Sequence, residues 1–391
     1  MRELIGMFSD KESLDELGIG QVRDAISDLL FPGTSSLHTR ARYLLIVPWC
    51  YQVAQRQGRT GTGLTNQVEL NERTVVGTLN RAGVTDGVVG RRAGVAVKTL
   101  PSSIYWTALA QFGIRHGDQI GSWGEGGVAG NSEAEELTER SSGMWHPTLP
   151  LPPAGFPYEL PGGLDLQRHE AQWLRDRILA GASGTLLAHL IRNGSRPADS
   201  SEGPWDDRAT SREGGPTDEL EHAELFSLGM HGAALLYNLL VAELYEEQGF
   251  TTVENPVADF RDRLSDWAGQ VAARRGELGH WDQDDMWRRV SGQNPRISNN
   301  LAMRSFVNTW LDAVVSGAAP TVADSPYLRR LVQHREETAK RAQSRFLNER
   351  MLRTWSGASG SSRLTFRWRN VRRLVNDVAN GLTSGGYDAP S

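Results

Sequence analysis

Residues 225–245, LFSLGMHGAALLYNLLVAELY, constrain this chain more than any other stretch, because wound as a helix they are apolar on every face. Phe226, Met230, Ala233, Tyr237, Leu240 or Val241, and Leu244 recur at 3.6-residue spacing, while Leu235, Leu236 and Leu239 fill the remaining faces. A helix with no polar face must be surrounded, so it predicts a centre with other helices packed around it. His231, Asn238 and Glu243 interrupt the run, which favours a buried core helix over a membrane span.

The rest of the chain offers suitable neighbours. Val22, Ile26, Leu29 and Leu30 make a short amphipathic helix that Pro32-Gly33 stops. Further helical patterns cover residues 71–81, 104–112, 166–191 around a Gly-Ala-Ser-Gly break, 257–273, 282–290, 302–315, a long polar stretch at 327–355, and 366–382. Strand signals are few. The expectation is a mainly α, multi-helical globular protein with few short strands and long Gly/Pro-rich loops. Composition shifts divide it into an N-terminal helical subdomain (1–116), a Gly/Pro-rich linker or insertion (117–163), a central helical domain (164–320) and a basic C-terminal helical region (321–391). Residues 193–217 read as a polar, mobile loop.

Several function classes are excluded by what the chain lacks. Cys50 is the only cysteine, so intramolecular disulfides and cysteine-based zinc or iron-sulfur sites cannot form within one chain. The first residues show no basic region followed by an apolar run, which points away from a secretory signal and toward the cytoplasm. Lys11, Lys98 and Lys340 are the only lysines. None follows a glycine as a phosphate-binding loop requires, and none completes a His-x-Lys or Asp/Glu-x-Lys nuclease motif. Gly61-Thr62-Gly63 lacks the third glycine of a dinucleotide loop, and 181–184 and 357–360 lack the spacing of a nucleophile elbow.

The histidines are dispersed. His222 and His231 stand nine positions apart, too far for a shared i, i+4 metal face, and His222-x-Glu224 has no Cys-x-x-Cys partner. Asp282, Asp284 and Asp285 have carboxylates for Mg2+, but they fit an acidic helix start better. The expectation is therefore no metal, no cofactor and no assignable catalytic residue.

Charge is more suggestive. The net charge of -5 is mild, yet residues 202–285 are mainly acidic and 327–381 mainly basic. The candidate nucleic-acid-binding residues are Arg341, Arg345, Arg363, Arg367, Arg369, Arg372, Arg373 and Trp368, a mixture suited to phosphate contacts and base stacking. The competing explanation is a solvated helix face with Glu337-Arg341 and Glu349-Arg353 pairs that docks on the acidic middle of the same protein. In the opening block, residues 15–51, Arg40 and Arg42 would lie near a phosphate backbone if its two helices read DNA, or share a face if residues 43–47 form a strand; a structural helical hairpin accounts for the pattern more simply.

That block, with DELGIG, LFPGTSSLHTRARYLLIVPW and the later pieces PSSIYW, EAQWLRDRILAGASGTLLAHL, HAELFSLGMHGAALLYNLLVAELY and RFLNERMLRTWSGASGSSRLTFRWRNVRRLVNDVANGL, resembles an uncharacterised bacterial domain-of-unknown-function family. Members of that family often lie near helicase and phospholipase-D-like genes in phage-defence neighbourhoods, and they carry a further segment ahead of the equivalent of Arg2-Glu3-Leu4-Ile5, which implies an internal or shortened start at Met1. The resemblance implies a cytoplasmic, non-enzymatic component of an anti-phage system. Its partners would be other proteins of the operon, helicase or nuclease subunits, with DNA or RNA as a further partner and no membrane. The alternatives are an enzyme, such as a nuclease, built from dispersed Asp, Glu, His and Arg, and a stand-alone DNA-binding regulator.

Overall fold

The computed structural model describes residues 15–116, 143–210 and 215–384. The start at Met1 and most of the expected linker lie outside these residues. In chain order the α-helices among them are α1 (Gly20–Leu30), α2 (Tyr43–Arg56), α3 (Gly61–Arg81), α4 (Pro101–Gln111), α5 (Arg168–Gly181), α6 (Leu186–Arg192), α7 (Thr217–Glu247), α8 (Pro256–Ala273), α9 (Arg275–His280), α10 (Gln283–Gln293), α11 (Arg296–Asn299), α12 (Leu301–Val315), α13 (Pro326–Lys340), α14 (Glu349–Arg353) and α15 (Trp368–Thr383). No strand occurs among the described residues; a single antiparallel bridge joins Arg115 and Trp145. The mainly α expectation holds.

The chain divides into two compact units. One comprises Met1–Leu30, Glu202–Asp206 and Pro216–Phe366; the other comprises Phe31–Ser201, Asp207–Gly215 and Arg367–Ser391.

In the first unit α7 is the centre. It is long and apolar enough to cross a membrane, and 89% of its most apolar window is buried. Two glycines let its neighbours approach closely. A Cβ on Gly232 would sit 2.2 Å from the Trp267 ring, and one on Gly229 would sit 2.5 Å from Leu311. The indoles of Trp267 and Trp310 then donate to the carbonyls of Leu228 (2.8 Å) and Gly229 (2.9 Å), so each large ring is buried without stranding its N–H. Ser227, His231 and Asn238 fall on one face of α7 and bond an extended Ser/Gly-rich segment through the carbonyls of Leu364, Ser361 and Ser359.

The long polar helix expected at 327–355 is broken. Glu336, with no exposed surface, collects the Ser344 hydroxyl and the Arg345 N–H. The chain therefore turns back after Lys340, with Arg341 at φ 52°, and restarts at α14 under an Asn348 cap. A turn held by a carboxylate on the preceding helix leaves no periodicity signal.

In the second unit α2 continues helically through Pro48, because its residues from Tyr43 to Cys50 are buried and packing overrides the missing donor. The strand alternative at 43–47 does not apply. Helix α3 begins ten residues earlier than the apolar pattern suggested, over a Gly/Thr/Asn-rich turn of weak helix propensity. The described part of the proline-rich segment packs on this unit: the Pro150 carbonyl accepts from the Trp49 indole, that of Pro157 from Thr78, and those of Pro161 and Gly163 from Arg42. Of the expected mobile loop, Ser195, Ser201, Asp207 and Thr210 of this unit are buried, residues 202–206 belong to the first unit, and 211–214 lie outside the described residues.

Candidate functional site

The DELGIG block forms one wall of a cleft in the first unit, and each of its residue types has a reason to be there. The Asp15 carboxylate accepts from the backbone N–H groups of Ile19 and Gly20, both at 2.8 Å, and so caps the start of α1. Glu16, 6% exposed, is held between Lys340 (3.0 Å) and Arg345 (2.9 Å). Leu17 is buried, and the carbonyls of Leu17 and Gly18 accept from Arg335 at 2.7 and 2.8 Å. Gly18 adopts φ 63°, and a Cβ there would stand 2.6 Å from the Arg335 guanidinium.

Met230, His231, Ala234 and Tyr237 of α7 form the second wall, and Gly360, Ser362 and Leu364 the third, around a narrow cleft of about 40 Å³. Backbone carbonyls only accept, so the His231 contact to Ser361 (3.2 Å) assigns the proton to Nε2. Nδ1 is then a bare acceptor, buried and without a partner. Burial lowers this imidazole to about 4, and the nearby guanidiniums of Arg263 and Arg363 act in the same direction. The ring is therefore neutral at physiological pH. The Tyr237 phenol oxygen accepts from Arg345 at 2.6 Å, and burial raises its ionisation far above the ordinary range. Arg23 at the rim pairs with Asp24 at 3.1 Å. Each ionised group lining the cleft thus has a counter-charge or backbone amides.

The other histidine of α7 is fully committed. His222 Nδ1 accepts from the Trp281 indole and Nε2–H donates to Asp285, both at 2.9 Å. His222 and Arg289 together hold the Asp285 carboxyl down at about 2. Asp282 caps α10 through the Asp285 N–H at 2.8 Å, as an acidic helix start should. Among the described residues no group of three or more His, Cys, Asp or Glu side chains is placed to hold a metal ion.

The eight C-terminal candidates are divided. Arg341, Arg345 and Arg363 belong to the first unit, and Arg367, Trp368, Arg369, Arg372 and Arg373 to the second. Arg345 bridges Glu16 and Tyr237 behind the cleft, and Arg363 lies 4.9 Å over the Trp205 ring. Arg367 donates to the Thr34 carbonyl, Arg372 to the carbonyls of Ala198 and Ser201, and Arg373 pairs with Asp86. Trp368 is fully buried, donates to Ser201 Oγ at 3.0 Å and packs 5.9 Å from Phe31. Arg341 and Arg369 are exposed. Most of the set therefore serves the fold of its own unit.

Sequence reasoning missed His231, Tyr237, Asp15 and Glu16 as a group. The available signal was the polar row Ser227, His231 and Asn238 on one face of an otherwise apolar helix, which calls for a polar partner segment.

The sequence model of a family described as of unknown function (DUF6361) matches residues 1–381. No curated protein and no solved structure matches.

Proposed function

We propose for this chain, which belongs to the DUF6361 family of unknown function, the role of a non-enzymatic component of a bacterial anti-phage defence system that acts by binding. The observation that carries the binding role is the state of the cleft: its ionised groups are compensated by counter-charges or backbone amides, and its histidine is a neutral imidazole. Such a surface recognises a ligand rather than activating one. The defence setting rests on the resemblance of the opening block and the later segments. Its natural partners are helicase or nuclease proteins of the same operon, which would supply the chemistry, and the setting is cytoplasmic. Nucleic acid is the second class of partner, with the C-terminal arginines as its candidate contacts, of which Arg341 in the first unit and Arg369 in the second are exposed.

An enzyme is the competing reading, favoured by the same unpartnered His231 Nδ1 as a general base. An imidazole lowered to about 4 is a weak base near neutrality, which argues for recognition.

Co-purification from the native operon tests the partner role. A stable complex with a neighbouring gene product is expected, and a chain that always isolates alone overturns it. For nucleic acid, Arg341→Glu and Arg369→Glu, made separately, should each weaken salt-dependent DNA or RNA binding without unfolding the chain. Absence of binding at low salt removes that partner.

A further inference from the structure

We propose that the basic edge formed in the second unit by the C-terminal turn of α3, the loop of residues 82–98 and Tyr158 binds single-stranded nucleic acid. This rests on reading nucleic acid as a partner and adds a surface outside the C-terminal segment, with its own contacts to phosphate and base.

Charge is the first argument. Between residues 73 and 116 the chain has one acidic residue, Asp86, against Arg73, Arg81, Arg91, Arg92, Lys98 and Arg115. Asp86 is cancelled by Arg373 of α15, and Arg73 pairs with Glu69. Arg81, Arg91, Arg92 and Lys98 are exposed and have no carboxylate partner among the described residues. The groups that two of them do meet are uncharged: Arg81 donates to Thr78 Oγ1 at 3.1 Å and Arg91 to the Thr85 carbonyl at 2.9 Å. A hydroxyl or a carbonyl orients a guanidinium and leaves its charge and its other N–H groups for phosphate. On a chain of net charge -5, such an edge runs against the overall balance.

Placement is the second. Gly90, at φ 71°, lies so near Val97 that a Cβ on it would stand 2.3 Å from that side chain, and this closure returns Lys98 to the side of Arg91 and Arg92. The Asn80 amide donates to the Arg91 carbonyl at 3.4 Å, and Val95, 63% exposed, lies against α3 at Gly77. The loop is thus tied to the last turns of α3, whose final residue is Arg81.

The third argument is an aromatic ring. Tyr158 is 70% exposed, and its carbonyl lies 3.3 Å from Thr78 Oγ1, the same hydroxyl that Arg81 bonds. An accessible ring is thereby anchored at the start of the arginine edge. The neighbouring carboxyl of Glu159 folds back over Gly155. Charge alone suits any polyanion. An exposed ring beside it suits one with flat, unstacked bases, which is a single strand rather than a duplex or a lipid surface.

The test follows fluorescence anisotropy of labelled oligouridylate and oligothymidylate with the purified full chain over a range of salt. The parent should bind, with an affinity that falls as salt rises. Arg92→Ala with Lys98→Ala removes two side chains that make no hydrogen bond in the fold. It should weaken binding at least tenfold and lower the slope of log K against log salt by about 1.4, two contacts at about 0.7 each on a single strand. Tyr158→Ala should weaken binding about fivefold or more with the slope unchanged, while Tyr158→Phe keeps the parent affinity. All these variants should keep the parent's thermal midpoint. A tenfold preference for one oligomer identifies RNA or DNA as the natural strand, and equal affinities identify a surface indifferent to the sugar. The proposal is overturned if the parent binds neither oligomer at low salt, or if the Arg92, Lys98 double variant or Tyr158→Ala binds like the parent. It is equally overturned if a duplex or a phosphatidylglycerol vesicle binds and the single strands do not. Binding kept by these variants but weakened in Arg341→Glu or Arg369→Glu leaves nucleic acid as a partner and removes only this surface.

Discussion

Arg42 has no exposed surface, yet its guanidinium joins Glu170 at 2.7 Å and the carbonyls of Pro161 and Gly163, also at 2.7 Å. Removing one partner of such a pair leaves the other buried and uncompensated, so Arg42→Met should lower unfolding free energy by about 3–5 kcal/mol, read from urea denaturation. Adding Glu170→Gln should recover part of the loss. Glu72 is the opposite case, a buried carboxyl that accepts from the Ser102 N–H and hydroxyl without a cation bonded to it. Burial raises it to about 7, well above its unfolded value, so its protonated form favours the fold; that contribution is complete below about 4.5 and disappears as pH rises through 7. Glu72→Gln should therefore be more stable than the parent at pH 8 by about 1–3 kcal/mol and show no such advantage at pH 4. Denaturation at the two pH values checks it. None of this is visible in the sequence, where Arg42 and Glu72 look like ordinary surface charges; only long-range partners reveal their roles.

At the scale of elements, α7 was legible and its surroundings were only partly so. Its all-round apolarity marks it as central, and the structure buries it accordingly. The close approach of Trp267 at Gly232 cannot be read from spacing, because it depends on which helix arrives and at what angle. Gly232→Ala should cost about 1–3 kcal/mol through overpacking against a ring with no room to move. The cost should shrink in a Trp267→Leu background, and a double-mutant cycle in thermal or chemical denaturation measures the coupling. If the two substitutions add without coupling, the contact is not the reason for the glycine. The break after α13 teaches the same lesson: residues 327–355 read as one long, largely polar helical stretch, and the turn arises because the buried Glu336 carboxylate captures Ser344 and the Arg345 N–H.

Across the whole molecule, extended segments buried among helices have no neighbouring strand to satisfy them, so side chains do that work. Ser227, His231 and Asn238 bond the 359–364 segment in one unit; Trp49, Thr78 and Arg42 bond the proline-rich segment in the other. This scheme predicts acid sensitivity. His38, stacked 4.2 Å from Tyr105 and bonded to the Ile104 carbonyl, is lowered by burial to about 4, as is His231. Both are neutral in the fold and titrate near 6.5 when unfolded. Their contribution is complete above about 6.5 and is lost as pH falls to 4, on the order of 3 kcal/mol for each. Unfolding free energy measured from pH 7 to pH 4 should fall, and replacing His38 with Gln should flatten that slope.

The sequence by itself determined the class of fold, the identity of the central helix and the lack of familiar lysine- and cysteine-based motifs, because periodicity and composition are local properties of the chain. It also marked DELGIG as distinctive without saying why. Tertiary structure alone decided that DELGIG, one face of α7 and the Ser/Gly-rich segment meet around a neutral imidazole, and that most of the C-terminal arginines serve internal partners. Burial and pairing depend on residues up to hundreds of positions apart, and these interactions set the protonation of His231, the pairing of Glu16 and the openness of the cleft.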